Sequence, residues 1–238
     1  MKLENLLLID IETVPSVASY HDMSLSMQKL WDKKAHLINY ANNEIDTASE
    51  FAQKGGIYAE FGKIICIGLG YFIKKGSSYH LKIKSIYGDE EKAILNEFAL
   101  VCNKFFKTSE KQFCGHNIRE FDIPYICRRS VINQIKMPEV LADLQHKKPW
   151  ENPMLDTLQY WKFGEYKSFI SVDLLSTVLG IDSPKEDIDG SQVAQVYWQE
   201  KNLERIKTYC NRDIETVAQI LMRLHEWPLI PKENIENV

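Results

Sequence analysis

The chain has no Cys-x-x-Cys pair, and its five cysteines are an odd number. Neither a disulfide framework nor a structural zinc site is expected, and a reducing cytosol fits that usage. No apolar run approaches the ~18 residues that a membrane span requires. Leu6-Leu7-Leu8-Ile9, ahead of Asp10, is also too short for the core of a secretion signal. The expectation is a cytoplasmic protein with no membrane partner. Gly-x-x-x-x-Gly-Lys-Ser/Thr is missing, which excludes a P-loop. No His-Glu-x-x-His or His-x-x-x-His occurs, so zinc hydrolysis has no support. Internal repeats and low-complexity tracts are absent as well. Basic residues are not in excess: 29 Lys+Arg face 33 Asp+Glu, a formal charge of −4. That balance argues against gripping duplex nucleic acid by bulk charge. A protein that holds a few nucleotides of one strand needs only a local basic groove and stacking aromatics.

What is present is ordinary globular composition. Of 238 residues, 45% are hydrophobic, enough for one large core in a single domain spanning 1–238. Leu6 to Ile9 reads as a buried central strand. Phe61–Phe72 and Tyr79–Tyr87, joined by Lys74-Lys75-Gly76-Ser77-Ser78, read as a hairpin. An amphipathic helix follows Asp89, carrying Ile94, Leu95, Phe98 and Cys102. Gln112–His116 is a short strand, and a helix from Ile126 to about Gln134 has Pro124 in its first turn. Met154–Thr157 reads as a strand end, Ser171–Leu179 as a helix closed by Gly180, and Leu203–Trp227 as a long helix stopped by Pro228. Residues 16–60 differ in character. They read as a helical insertion with a polar stretch at Asn39–Glu44, ending at Gly55-Gly56. The order predicts a mixed sheet with helices on its faces, and sites in such sheets gather at strand ends.

Three acidic motifs lie far apart: Asp10-Ile11-Glu12-Thr13, Asn117 through Phe121-Asp122, and Tyr209-Cys210-Asn211-Arg212-Asp213. Each has an ordinary reading when taken alone. The first is a solvated turn after a strand, Asp122 is a helix cap, Asn117 is a turn residue, and Tyr209 belongs to a core face. Together they supply four carboxylates and a phenol. Asp10 and Glu12, two apart on a strand, leave the same face. Such a pair repels itself unless protons, solvent or cations intervene. Mg²⁺ prefers oxygen ligands and keeps waters and substrate phosphates in its shell. Tyr209 and Asp213, four apart on a helix, share a face.

These residues resemble the DEDD exonuclease superfamily, tyrosine subclass, and most closely the proofreading exonuclease domain of family-B DNA polymerases. The likeness also covers Ser171–Gly180 in shape and spans about residues 6–14 and 61–225. No polymerase region fits in the remainder, so the chain is similar to stand-alone relatives of that domain. The resemblance implies an α/β, ribonuclease H-like mixed five-stranded sheet of order 3-2-1-4-5, flanked by helices, with strand 2 antiparallel. It implies that Asp10, Glu12 and Asp213 bind one Mg²⁺ or Mn²⁺, that Asp10 bridges to a second, and that Asp122 acts mostly through water. Tyr209 would orient the attacking water. The histidine that some relatives use falls at Thr208 here. Thr13 and Phe121 would meet the substrate strand, and Asn117 would meet it or help fix the loop that carries Asp122.

The implied function is a 3′-5′ exonuclease on single-stranded DNA or frayed 3′ ends. It would serve DNA repair or degradation, or a polymerase or repair complex in trans. Two alternatives use the same residues. One is an RNA exonuclease or oligoribonuclease, since no residue declares a preference on the 2′-hydroxyl. The other is a non-catalytic module that binds single strands. The segment after Pro15 departs from the family pattern and would block, gate or extend the groove.

Overall fold

A computed structural model describes residues 1–39, 45–148, 151–181 and 187–238. Most of the polar Asn39–Glu44 stretch therefore lies outside the described residues. Six strands form one sheet: β1 (Leu6–Pro15), β2 (Gly62–Lys75), β3 (Ser78–Tyr87), β4 (Gln112–Gly115), β5 (Met154–Asp156) and β6 (Ile235–Asn237). Their spatial order is β5-β4-β1-β2-β3-β6. Read from β3, this is the expected 3-2-1-4-5 arrangement. β2 is antiparallel to β1 and β3, while β4 and β5 run parallel to β1. The sheet has ribonuclease H-like character. The difference is a sixth strand: β6 adds parallel to β3 through Leu81–Ile235 and Ile83–Asn237. Its three residues carry too little alternation to read as a strand.

β1 is buried on both faces, which is why it reads as an unbroken apolar run. Leu7, Ile9 and Ile11 face the core under α3 (Glu91–Phe105) and α4 (Asp122–Asn133), with Ile94, Leu95, Phe98 and Ile126. Leu6 and Leu8 face α9 (Leu203–Leu224), against Ile214, Val217, Ala218 and Leu221. By strand alternation, Asp10 and Glu12 continue the α9 face. The central strand therefore delivers two acids to the underside of the C-terminal helix. That helix ends three residues before Trp227, with Glu226 in a left-handed conformation at φ 56°.

The approach of α9 depends on Gly68 and Gly70 of β2. A Cβ at Gly68 would lie 2.7 Å from Cys210 Sγ, and one at Gly70 would lie 2.6 Å from Ile214 Cγ2. The sheet registers Gly68 beside Asp10 and Gly70 beside Leu8. Two missing side chains thus let the Tyr209–Asp213 turn settle onto the acidic end of β1.

The segment between β1 and β2 holds α1 (Leu25–Ile38) and α2 (Thr47–Lys54). Trp31, Phe51 and Phe61 form a small core of their own there, and the Trp31 indole N–H bonds the Thr47 carbonyl at 2.8 Å. A buried ion pair connects this region to the main body. Arg129 of α4 donates to both Glu91 oxygens and to the Ala59 carbonyl, while Glu91 also accepts the Ile64 N–H of β2. Further α-helical pieces among the described residues are α5 (Glu139–Ala142), α6 (Thr157–Trp161), α7 (Val172–Val178) and α8 (Val193–Gln195). α8 runs into a π-helical turn at Val196–Glu200.

Candidate active site

The C-terminal end of β1 opens into a cleft of about 430 Å³. Asp10, Glu12, Thr13, Tyr209 and Asp213 line it, with Phe121 on one rim. Gln53, Gly56 and Ile57 contribute from the segment after Pro15, so that segment builds one wall of the groove. Gly190, Ser191 and Ala194 contribute another. A larger cavity of about 550 Å³ lies beside Trp227 and the β3 hairpin end, but among the described residues no carboxylate, histidine or cysteine lines it.

The two acids of β1 and the Cys210 thiol offer ligand atoms within 4.8 Å of one another. Cys210 Sγ–H donates to Asp10 Oδ2 at 3.5 Å. Asp122 reaches the same place from another direction. β4 pairs with β1 only through Leu8, so the Ile11 N–H has passed the end of its neighbour strand. Asp122 Oδ1 accepts that N–H at 3.1 Å. Asp122 is the first residue of α4, and its side chain bonds β1 rather than capping the helix. From α9, Asp213 shares a helix face with Tyr209, whose hydroxyl favours the Asp213 anion. The structure thus brings Asp10, Glu12, Asp122, Tyr209 and Asp213 together.

Their electrostatics follow from crowding in a partly dry site. Burial and the neighbouring Asp213 and Asp122 hold the Asp10 carboxyl well above the usual carboxylate range. Burial and Asp10 do the same to Glu12. Asp122 is pushed up to about 7 by burial, against the backbone hydrogen bonds that favour its anion, with Asp156 and Asp213 adding to the rise. Asp213 also rises to about 7, through burial and then Asp173. The Tyr209 phenol is raised by burial and by Asp213, so it stays protonated and serves as a donor. Among the described residues lining the cleft there is no lysine or arginine. Four convergent carboxylates without a cationic side chain in the cleft are a donor set suited to hard divalent cations. Cys210 does not spoil that fit. A hydrogen bond with Cys66 and burial raise its thiol well above the usual range, leaving it an S–H donor to Asp10.

The three residues expected to meet the substrate strand divide. Thr13 and Phe121 line the cleft. Asn117 is not among the described residues lining it. It sits in the loop after β4 with φ 62°, its N–H bound to Asp156 and its side-chain oxygen buried without a partner. Asp156, whose position in the sequence reads as a strand end or helix cap, does that and more. It is 3% exposed and accepts the N–H groups of Asn117, Arg119 and Leu158 at 2.9, 3.0 and 3.0 Å. It therefore caps α6 and holds the loop that delivers Asp122. His116 is fixed beside it, between Thr157 Oγ1 and the Ile170 carbonyl.

Residues 57–226 match the model of a family described as a predicted 3′-5′ exonuclease related to the exonuclease domain of PolB. The matched stretch contains Asp122, Tyr209 and Asp213 and begins beyond Asp10 and Glu12. No curated protein matches the chain.

Proposed function

We propose that this chain, which belongs to the family of predicted 3′-5′ exonucleases related to the exonuclease domain of PolB, removes nucleotides one at a time from the 3′ end of single-stranded DNA. The observation that carries the proposal is the convergence of Asp10, Glu12 and Asp213 in one cleft, with Asp122 buried beside them on the Ile11 N–H. Asp10, Glu12 and Asp213 would hold divalent cations, with Asp122 reaching them through water. Bound there, two such ions supply positive charge to the scissile phosphate and lower the pKa of the attacking water.

The protein's own groups supply orientation. Tyr209 keeps its proton and lends it to Asp213, fixing that carboxylate's direction and leaving the phenolic oxygen to position a water. Thr13 and Phe121 stand where the terminal nucleotide enters. In the reaction, water oxygen bonds phosphorus, the bond to the penultimate 3′ oxygen breaks, and that oxygen takes a proton. The products are a nucleoside 5′-monophosphate and a strand one residue shorter. Single strands suit the net charge, since the cleft itself carries acids and offers no extended basic track for a duplex.

The test is digestion of a 5′-labelled single strand with Mg²⁺ or Mn²⁺, beside a matched RNA. A descending ladder on DNA, lost in Asp10→Asn, is expected. Release of nucleotides by Asp10→Asn at the wild-type rate would refute the assignment. Faster shortening of RNA would move the substrate to the ribonucleotide series.

A further inference from the structure

We infer that Trp198, flanked by Lys63 and Lys201, is the platform that holds the substrate strand upstream of the bond being cut. The inference rests on the exonuclease reading above and names the part of the groove that grips the retained strand.

Trp198 lies in the π-helical turn Val196–Glu200, a local distortion of the kind that re-aims side chains at functional sites. Lys201 follows at φ 55°, so the chain breaks direction immediately after the indole. The indole N–H donates to the Pro15 carbonyl at 3.2 Å. Pro15 lies three residues beyond Glu12 on β1 and itself lines the cleft. At about 3.3 Å per residue, the Pro15 backbone that anchors the ring stands roughly 10 Å along β1 from Glu12. That span suits a nucleotide upstream of the terminal one.

Two ammonium groups converge on this ring. Lys63 Nζ is 5.0 Å from the Trp198 centroid and Lys201 Nζ is 4.9 Å from it. Lys63 is tethered: it donates to the Tyr197 hydroxyl at 2.8 Å, which in turn donates to Asp89. Lys201 meets the two aromatic rings and, among the described residues, no carboxylate. The acids nearest it in sequence are engaged elsewhere: Glu200 pairs with Arg205, and Glu204 with Tyr87 and Lys207. A half-buried aromatic with two ammonium groups over its ring can stack a base in place of one of them and hold its phosphate with the other. The cleft residues themselves provide no such cation. The acid cluster alone would repel the upstream phosphates, and this pair offsets that repulsion where the strand leaves the site.

The test compares two DNA substrates. One is a single strand of roughly ten nucleotides, within the site sizes of single-strand binders. The other is thymidine 5′-(p-nitrophenyl phosphate), which has a scissile bond but no upstream nucleotide. Trp198→Ala should lower kcat/KM on the strand roughly tenfold more than on the ester, chiefly through KM. Trp198→Phe, which keeps a stacking face and loses the Pro15 bond, should recover most of that loss. Lys63→Gln and Lys201→Asn should each raise KM on the strand and flatten its salt dependence. Equal effects of Trp198→Ala on both substrates would overturn the inference. If the wild-type protein cleaves neither substrate, the exonuclease reading fails, and the platform is then read from binding alone. Fluorescence anisotropy of the labelled strand in Ca²⁺ should show Trp198→Ala binding roughly tenfold more weakly. Equal binding, or no binding by the wild-type protein, would overturn it.

Discussion

Ile11 donates its backbone N–H to Asp122 Oδ1 across 3.1 Å, joining two acidic motifs that are 111 residues apart. The bond has a simple cause. β4 stops pairing before β1 does, and a side chain takes over the abandoned donor. One carboxylate thereby completes strand pairing with one oxygen and leaves the other for chemistry. Asp122→Asn keeps an acceptor for Ile11, so it should fold with a melting temperature close to that of the wild type. Its nuclease rate should fall by about 10²-fold or more, as for loss of a transition-state contact. Calorimetry and a single-turnover digest read the two effects separately.

Crowded acids make the metal-free protein sensitive to pH in a definite direction. Asp122 and Asp213 have pKa values near 7 in the fold against an ordinary 3.8. Between those values the folded chain binds more protons than the unfolded one, so stability falls as pH rises. Their stabilising contribution is complete below about pH 4 and is lost as pH rises through about 7. With chelator present, the melting temperature attributable to this cluster should decline over that window, and Asp213→Asn should shrink the decline. Excess Mg²⁺ at pH 8 should restore at least about 3 °C, since a ligand bound only by the native state stabilises it. A melting temperature indifferent to Mg²⁺ would count against the site.

Close approach of α9 rests on two glycines. Gly70→Val adds a Cβ only 2.6 Å from Ile214 Cγ2, and its methyls have no free space beyond that. Overpacking of this kind costs on the order of 1–3 kcal/mol. The helix carrying Tyr209 and Asp213 would have to rise, so activity should drop further than stability alone explains. Urea unfolding paired with kcat under fully folded conditions checks it.

Tyr209→Phe removes the donor to Asp213 and leaves the ring. The protein should retain its fold and divalent-ion affinity while kcat falls by about 10²-fold with little change in KM. A KM effect alone would assign Tyr209 to substrate binding.

Asp156→Ala leaves the N–H groups of Asn117, Arg119 and Leu158 without their acceptor. The cost should be on the order of 3 kcal/mol. Its activity loss should follow from displacement of Asp122 and appear at temperatures well below the melting transition.

Much of the frame was legible because local pattern and burial agreed. The run Leu6–Ile9 followed by Asp10 and Glu12 specified a central strand ending in acids, and Leu203–Trp227 before Pro228 read as the long helix that the structure lays across it. The five-strand order came with the family resemblance. Other features depend on meetings that no local pattern encodes. β6 is three residues long and is a strand only because β3 lies beside it. Gly68 and Gly70 acquire a role only once α9 is seen above them. Asp156 reads as a strand-end or helix-cap residue, and its buried anchoring of the Asn117–Asp122 loop emerges only from packing. Cys210 was visible inside the third motif, but its contact with Asp10 follows from the same helix approach. The segment after Pro15 was legible as helical, and its place as a cleft wall was not.

The central claim is that these four carboxylates make one divalent-cation site. Titration of Mn²⁺ into the protein at neutral pH, followed by the electron paramagnetic resonance of the free ion, tests it directly. The wild-type chain should deplete free Mn²⁺, while folded Asp10→Asn and Asp213→Asn should bind far less. Uptake by both variants equal to that of the wild type would contradict the claim.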